Sequence, residues 1–250
     1  DLLTIIFQRM DMVAARLWVN DYELGLFAGP FRLNHALYTL MGSIANVFFS
    51  EQTGAASKRD TSLIYESALF TLAFLTVPMV VGVWLVDSKL LDFALGAQFA
   101  SQGRLFSLMV LTNLATVAIP IYANQLLIPH HRTTSVICNL AAGILLFAIL
   151  ALPLGNIAGL GGIVIAGFIG KILAAVLCVH QAKAYVDKLA LDKAWRHVAP
   201  ALCSVGIVYV SGLEGLFTQL GLAIGLYPLF SLGFNFAIFR KILALKVDRQ

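Results

Sequence analysis

Four ionisable side chains lie where a chain this apolar has least use for them: Arg9, Asp11, Arg32 and Lys171. Each falls inside a run long enough to cross a bilayer. A charge at the bilayer centre costs at least ~2.5–3.5 kcal/mol, so such residues usually face a cavity or a partner. Counted inward from the span ends, Arg9 and Asp11 are about ten and eight residues deep, Arg32 about nine and Lys171 about eleven to thirteen. At ~1.5 Å per residue, all four come near the midplane of a ~30 Å core. Arg16 lies nearer one membrane face, within reach of a snorkelling side chain.

Helical geometry sets which of these can meet. Arg9 and Arg16 are seven apart and share a face, whereas Asp11 points about 200° from Arg9 and about 140° from Arg16. The partner of Asp11 is therefore expected on another helix, with Arg32 and Lys171 the candidates. Arg32 and His35 share a face, Asn34 is beside them, and Pro30 just before should kink the helix. Two readings follow. One is a buried interhelical pair that only fixes packing. The other is a wet cavity with surplus positive charge, favoured by the ratio of three cations to one anion. Such a cavity suits a phosphate-bearing ligand, because the planar Arg fork matches phosphate oxygens.

The elements that must position these residues are read from composition and hydropathy. The chain has 250 residues, 60% hydrophobic and only 12% charged, with a mean hydropathy of +0.87. A soluble domain usually carries about 25% charged residues, so an all-α integral membrane protein is expected. The apolar runs suggest about eight transmembrane helices, at about 2–18, 23–50, 61–86, 103–128, 133–153, 157–181, 195–211 and 215–240. The stretch 87–102 is too short to span and partly amphipathic, and reads as an interfacial segment or half-helix.

Loop charge supports this count. Eleven basic residues fall on one side: Lys58, Arg59, Arg132, Lys183, Lys188, Lys193, Arg196, Arg240, Lys241, Lys246 and Arg249. Only Lys89 and Arg104 fall on the other. The positive-inside rule then puts both ends of the chain in the cytoplasm. The chain opens at Asp1 and its first methionine is Met10, so an upstream part is expected.

Other residues point to packing more than to chemistry. Cys138, Cys178 and Cys203 lie in apolar runs without metal-ligand spacing, and no metal or cofactor is expected. His130-His131 are adjacent and cannot face one site. Glu66 reads as an interfacial carboxylate. Asn113 and Asn124, with Asn34, His35 and Arg16, are candidate cavity-lining residues; interhelical hydrogen bonding is the alternative use of the asparagines. Ala158, Gly162, Ala166, Gly170 and Ala174 recur every four residues and should let a neighbouring helix approach closely. Pro78, Pro120 and Pro228 interrupt spans. No nucleophile elbow, phosphate-binding glycine loop, HExxH or paired carboxylates occur, so no enzyme is expected. The net charge of +4 collects at one membrane face and does not suggest nucleic acid.

The segment RMDMVAARLWVNDYELGLFAGPFRL (9–33) resembles the start of the second lobe in polysaccharide and O-antigen flippases. The family run of Gly, aromatic, small residue and basic-Leu appears as Gly25, Phe27, Gly29-Pro30, Arg32 and Leu33, with Gly29-Pro30 departing from the usual small pair. The stretch 126–173 is similar to a later helix pair of that family: a basic turn, an Asn-containing span, a Pro-Gly break and a glycine-rich helix. The family belongs to the multidrug/oligosaccharidyl-lipid/polysaccharide exporter superfamily. The resemblance implies that 1–186 is the second six-helix lobe, that 187–250 is an extra C-terminal helix pair with a short cytoplasmic tail, and that an N-terminal lobe is missing. It implies export of a lipid-linked, pyrophosphate-bearing oligosaccharide across the bacterial inner membrane by alternating access, for surface polysaccharide or O-antigen biosynthesis. Arg9, Arg32 and Lys171 are then the expected head-group contacts, and Asp11 their organiser or a coupling carboxylate. A glycan polymerase or assembly complex is a further expected partner. Two alternatives stay open: a cation-coupled multidrug exporter of the same superfamily, and a non-transporting scaffold of a polysaccharide assembly complex.

Overall fold

The computed structural model describes residues 2–53, 58–119, 127–128, 130–182, 184–185, 200, 203–204, 215, 218–219, 221–223 and 225–231. Among them, five long helices carry the fold: α1 (Leu2–Ala15), α2 (Asp21–Thr53), α3 (Lys58–Leu95), α4 (Gly103–Ile119) and α5 (Thr133–Ala182). A short 3-10 segment, Ala97–Gln102, joins α3 to α4. No strand occurs among the described residues. The expected helix at 195–211 and most of that at 215–240 lie outside the described residues.

Local chemistry explains the breaks. Asn20 caps α2: its Oδ1 accepts from the Glu23 backbone N–H at 2.9 Å, and the Asp21 and Glu23 carboxylates favour the positive end of the helix dipole. The helix α2 runs through Pro30 without interruption. Within α3 the backbone departs from helical geometry at Val86 (φ −125°, ψ 20°), where the sequence had placed the span's end. Asp87 follows at once. Its Oδ1 accepts from the Ser88 backbone N–H at 2.6 Å, and its Oδ2 accepts from Ser107 Oγ at 3.1 Å and lies 3.4 Å from the Arg104 guanidinium. A carboxylate that captures the next N–H restarts the helix in a new direction. The stretch 87–102 therefore continues as helix to Leu95 and then as the 3-10 segment.

The expected fifth and sixth spans form the two arms of α5. The sequence had put their connection at 153–156. The helix instead passes through Pro153 and breaks at Ala158 and Gly159, the latter at φ 55°, ψ −134°, a region open in practice only to glycine. Beyond the break the chain folds back. The Gly143 and Gly170 backbones touch, and Asn139 and Gln181 exchange side-chain amide hydrogen bonds at 3.0 and 3.1 Å. The small-residue ridge serves this hairpin. Gly162 lies against Leu154, Gly170 lies against Gly143 and Phe147, and Ala166 and Ala174 are fully buried. Its partner is thus the other arm of the same helix.

Helix α1 packs mainly on α5, and α2 packs on α3 and α4, so α1 and α2 barely touch despite their short connection. One core joins Phe7 and Met10 of α1 with Phe27 and Phe31 of α2, Tyr65 and Leu72 of α3, Met109 of α4, and Phe147 and Ile163 of α5. The outside is apolar too. Leu145, Ile149 and Leu152 form an exposed stripe on α5, and Val13 and Leu17 are exposed on α1 and the turn after it. Exposed stripes of this kind mark contact with lipid rather than water. Ile64–Leu95 and Thr133–Ala182 are each long and apolar enough to cross a membrane; Gly221–Ser231 is apolar but shorter. Helices α1, with 14 residues, and α4, with 17, are shorter, so among the described residues two helices, against the eight spans expected, have that length and hydropathy.

Candidate functional site

On α1 the buried residues are Phe7, Met10, Asp11, Ala14 and Ala15. That i, i+3, i+4, i+7, i+8 spacing marks one helix face, and it is the face against α5. Asp11 therefore enters the α1–α5 interface. Its carboxylate lies directly on Gly167, where a side chain would collide with it. Lys171, one turn beyond Gly167 on the same face, donates from Nζ to Asp11 Oδ2 at 2.6 Å. Both side chains are more than nine-tenths buried. Of the two partners considered for Asp11, the structure selects Lys171. Asp11 Oδ1 has no hydrogen-bond partner.

Because α1 and α2 diverge, a cleft opens between them. Lys171, Asn34, His35 and Asn113 line its inner end, together with Gln8, Tyr38 and Thr112. Asn113 Nδ2 donates to Asn34 Oδ1 at 2.9 Å and ties α4 to α2. The cleft widens into a cavity of about 650 Å³ between α1, α2 and the start of α5. Gln8, His35 and Tyr38 belong to both parts. The Gln8 and Tyr38 side chains are hydrogen-bonded, and the His35 and Tyr38 rings stack with centroids 6.4 Å apart.

Among the described residues, the other cationic candidates do not line this cleft. Arg9 is exposed and acts electrostatically on His35 from α1. Arg32 is exposed on α2, one turn before His35. Neither lines the cleft wall. Arg16 is drawn away to the α1–α2 turn, where it pairs with Asp21 at 3.0 Å. Asn124 lies outside the described residues. Glu66 is half-buried on α3. His130 stacks on Tyr185 at 4.2 Å, and no metal-binding group of His, Cys, Asp or Glu occurs among the described residues. The arrangement separates one buried ion pair, Asp11–Lys171, from two exposed cations, Arg9 and Arg32.

His35, expected at the cavity from the sequence, begins a longer polar stripe along α2 whose other members, Tyr38, Thr39, Ser43 and Asn46, the sequence did not single out. That periodicity is visible in HALYTLMGSIAN, but no single residue in it is charged. Gln8 adjoins Arg9 and was overshadowed by it.

No family model matches the chain, and no curated protein matches its sequence. Among solved structures the chain resembles a lipid II flippase, MurJ, in an inward closed conformation, with a TM-score of 0.77 and 17% sequence identity over 94% of this chain and 53% of that one. The chain thus spans about half the length of the structure it matches. At this identity the likeness establishes the fold alone, an all-helical bundle.

Proposed function

We propose that this chain is one lobe of a membrane flippase that moves a lipid-linked, pyrophosphate-bearing oligosaccharide across the bacterial inner membrane by alternating access. One observation carries the reading: a polar cleft, with Lys171 at its inner end and Arg9 acting on its His35, opens between α1 and α2 inside a bundle whose outside is apolar. A cargo with a charged head and an apolar tail needs such a surface. The head group follows the cleft while the tail stays in lipid. The likeness to a lipid II flippase supports a lipid-linked cargo and the exporter superfamily.

In this proposal Arg9 and Arg32 meet the pyrophosphate first, and Lys171 meets it when the lobe rearranges. Asp11 holds the Lys171 ammonium in place until then, either as organiser or as the coupling carboxylate. Residues 1–186 form the second six-helix lobe, 187–250 add two helices, and both ends lie in the cytoplasm. A polysaccharide or O-antigen pathway, with its glycan polymerase, is the proposed setting. The drug-exporter reading needs a carboxylate free for a cationic ligand; the described residues that line the cleft include none, and Asp11 beside them is paired with Lys171.

The test is accumulation. Removing the whole protein from its host should leave lipid-linked glycan trapped on the cytoplasmic leaflet, and restoring it should clear the block. Sensitivity to cationic dyes without trapped glycan would overturn the proposal.

A further inference from the structure

Resting on that reading, we infer that the wide part of the α1–α2 cleft is a subsite for an uncharged glycan, the sugar portion of the cargo, and that it rejects acidic sugars. The cavity is lined by no carboxylate, ammonium or guanidinium group among the described residues. Its volume of about 650 Å³ is that of a small-ligand site, about 300–1,000 Å³.

The α2 wall offers neutral hydrogen-bonding groups of both kinds. Thr39 Oγ1 donates back to the His35 carbonyl at 2.9 Å, and Ser43 Oγ donates back to the Thr39 carbonyl at 3.0 Å. Both hydroxyl hydrogens are thus committed to the helix, and their oxygen lone pairs remain for a ligand. Tyr38, hydrogen-bonded to Gln8, carries a hydroxyl that can both donate and accept. Asn46 supplies an amide with both functions. Sugar hydroxyls both donate and accept, and match this mixture. The stacked His35–Tyr38 rings add a flat aromatic face of the kind that covers the C–H side of a pyranose. Across the cavity, Leu3, Val136 and Leu140 present an apolar wall for the opposite sugar face.

Other occupants fit worse. A polyprenyl tail would bury the α2 wall against hydrocarbon, leaving its polar groups without partners. A uronate would bring a carboxylate against a wall whose described residues carry no ammonium or guanidinium group to pair it.

The whole transporter in lipid nanodiscs provides the test. Its affinity is measured for farnesyl pyrophosphate, for farnesyl pyrophosphate carrying a di-N-acetylglucosamine unit, for the same carrier with a glucuronate disaccharide, and for geranylgeranyl pyrophosphate. The neutral disaccharide should raise affinity over the sugarless carrier about tenfold, the gain expected from one or two ordinary hydrogen bonds. The ratio should fall towards one in Asn46→Leu. The inference is overturned if the wild-type ratio is below twofold, or if the glucuronate or the longer tail gives the larger gain. Free di-N-acetylglucosamine separates this inference from the reading beneath it. If the sugarless carrier fails to bind while the free disaccharide binds, the subsite stands and the head-group proposal falls. If neither binds, both fall.

Discussion

The Lys171 ammonium and the Asp11 carboxylate meet at 2.6 Å across 160 positions of sequence, with both side chains buried. A buried ion pair is not by itself a source of stability, because each charge has lost its water. Removing one partner, however, strands the other. Lys171→Met alone should therefore destabilise the lobe by about 3–5 kcal/mol, and Asp11→Asn should do so by a comparable amount. The double variant should recover most of the loss. Thermal unfolding of the whole protein in detergent measures all three. Losses that simply add would show that the two residues do not depend on one another.

Gly167 makes that pair possible. The Asp11 carboxylate occupies the space where a Cβ would stand. Gly167→Ala should push α1 away from α5 and cost about 1–3 kcal/mol, the usual range for overpacking. Gly161→Ala is the control, since nothing lies within 4 Å of its Cβ position. Equal melting temperatures for the two variants would contradict the close approach of Asp11.

How much of this was legible in the sequence depends on the range of the signal. Helical runs and their apolar stripes are local, and the six stretches between residues 2 and 181 could be read from them. Asp11 needed a partner on another helix, and helical angles alone established that. Choosing Lys171 over Arg32 required knowing that α1 packs on α5 and diverges from α2, a long-range fact with no local signature. The break at Ala158–Gly159 rather than at Pro153 was hidden because proline and glycine both punctuate, and only the backbone angles decide between them. Beyond His35, the cleft's polar stripe carries no distinct local signal, because neutral residues such as Tyr38, Thr39, Ser43 and Asn46 occur as often in ordinary packing.

Gly29 shows a second dependence that spacing could not reveal. A Cβ on it would come within 2.6 Å of the Phe99 ring, which the 3-10 segment lays against α2. Gly29→Ala should therefore cost about 1–3 kcal/mol. Phe99→Leu should relieve that cost in the double variant, because a smaller side chain vacates the contact. A double-mutant cycle by thermal unfolding measures the coupling, expected at about 0.5–3 kcal/mol for residues in contact. A coupling near zero would detach the 3-10 segment from α2.

Arg9 and Arg32 are exposed cations on the two helices that flank the cleft, and neither forms an ion pair among the described residues. Both are exposed, so replacing them should change stability little, within about 0.5 kcal/mol. Transport is where their loss should appear. A hydrogen bond to a charged group contributes about 1.5–3 kcal/mol, so each of Arg9→Gln and Arg32→Gln should slow flipping of a pyrophosphate-linked glycan by about ten- to a hundredfold at subsaturating cargo. Lysine at either position should restore part of the rate, since it returns the charge without the planar fork. Reconstituted vesicles with a fluorescent lipid-linked glycan give the rate, and melting temperature reports folding in the same samples. Unchanged flipping in both glutamine variants would move the head group away from these two cations and favour a lobe whose role is assembly rather than carriage.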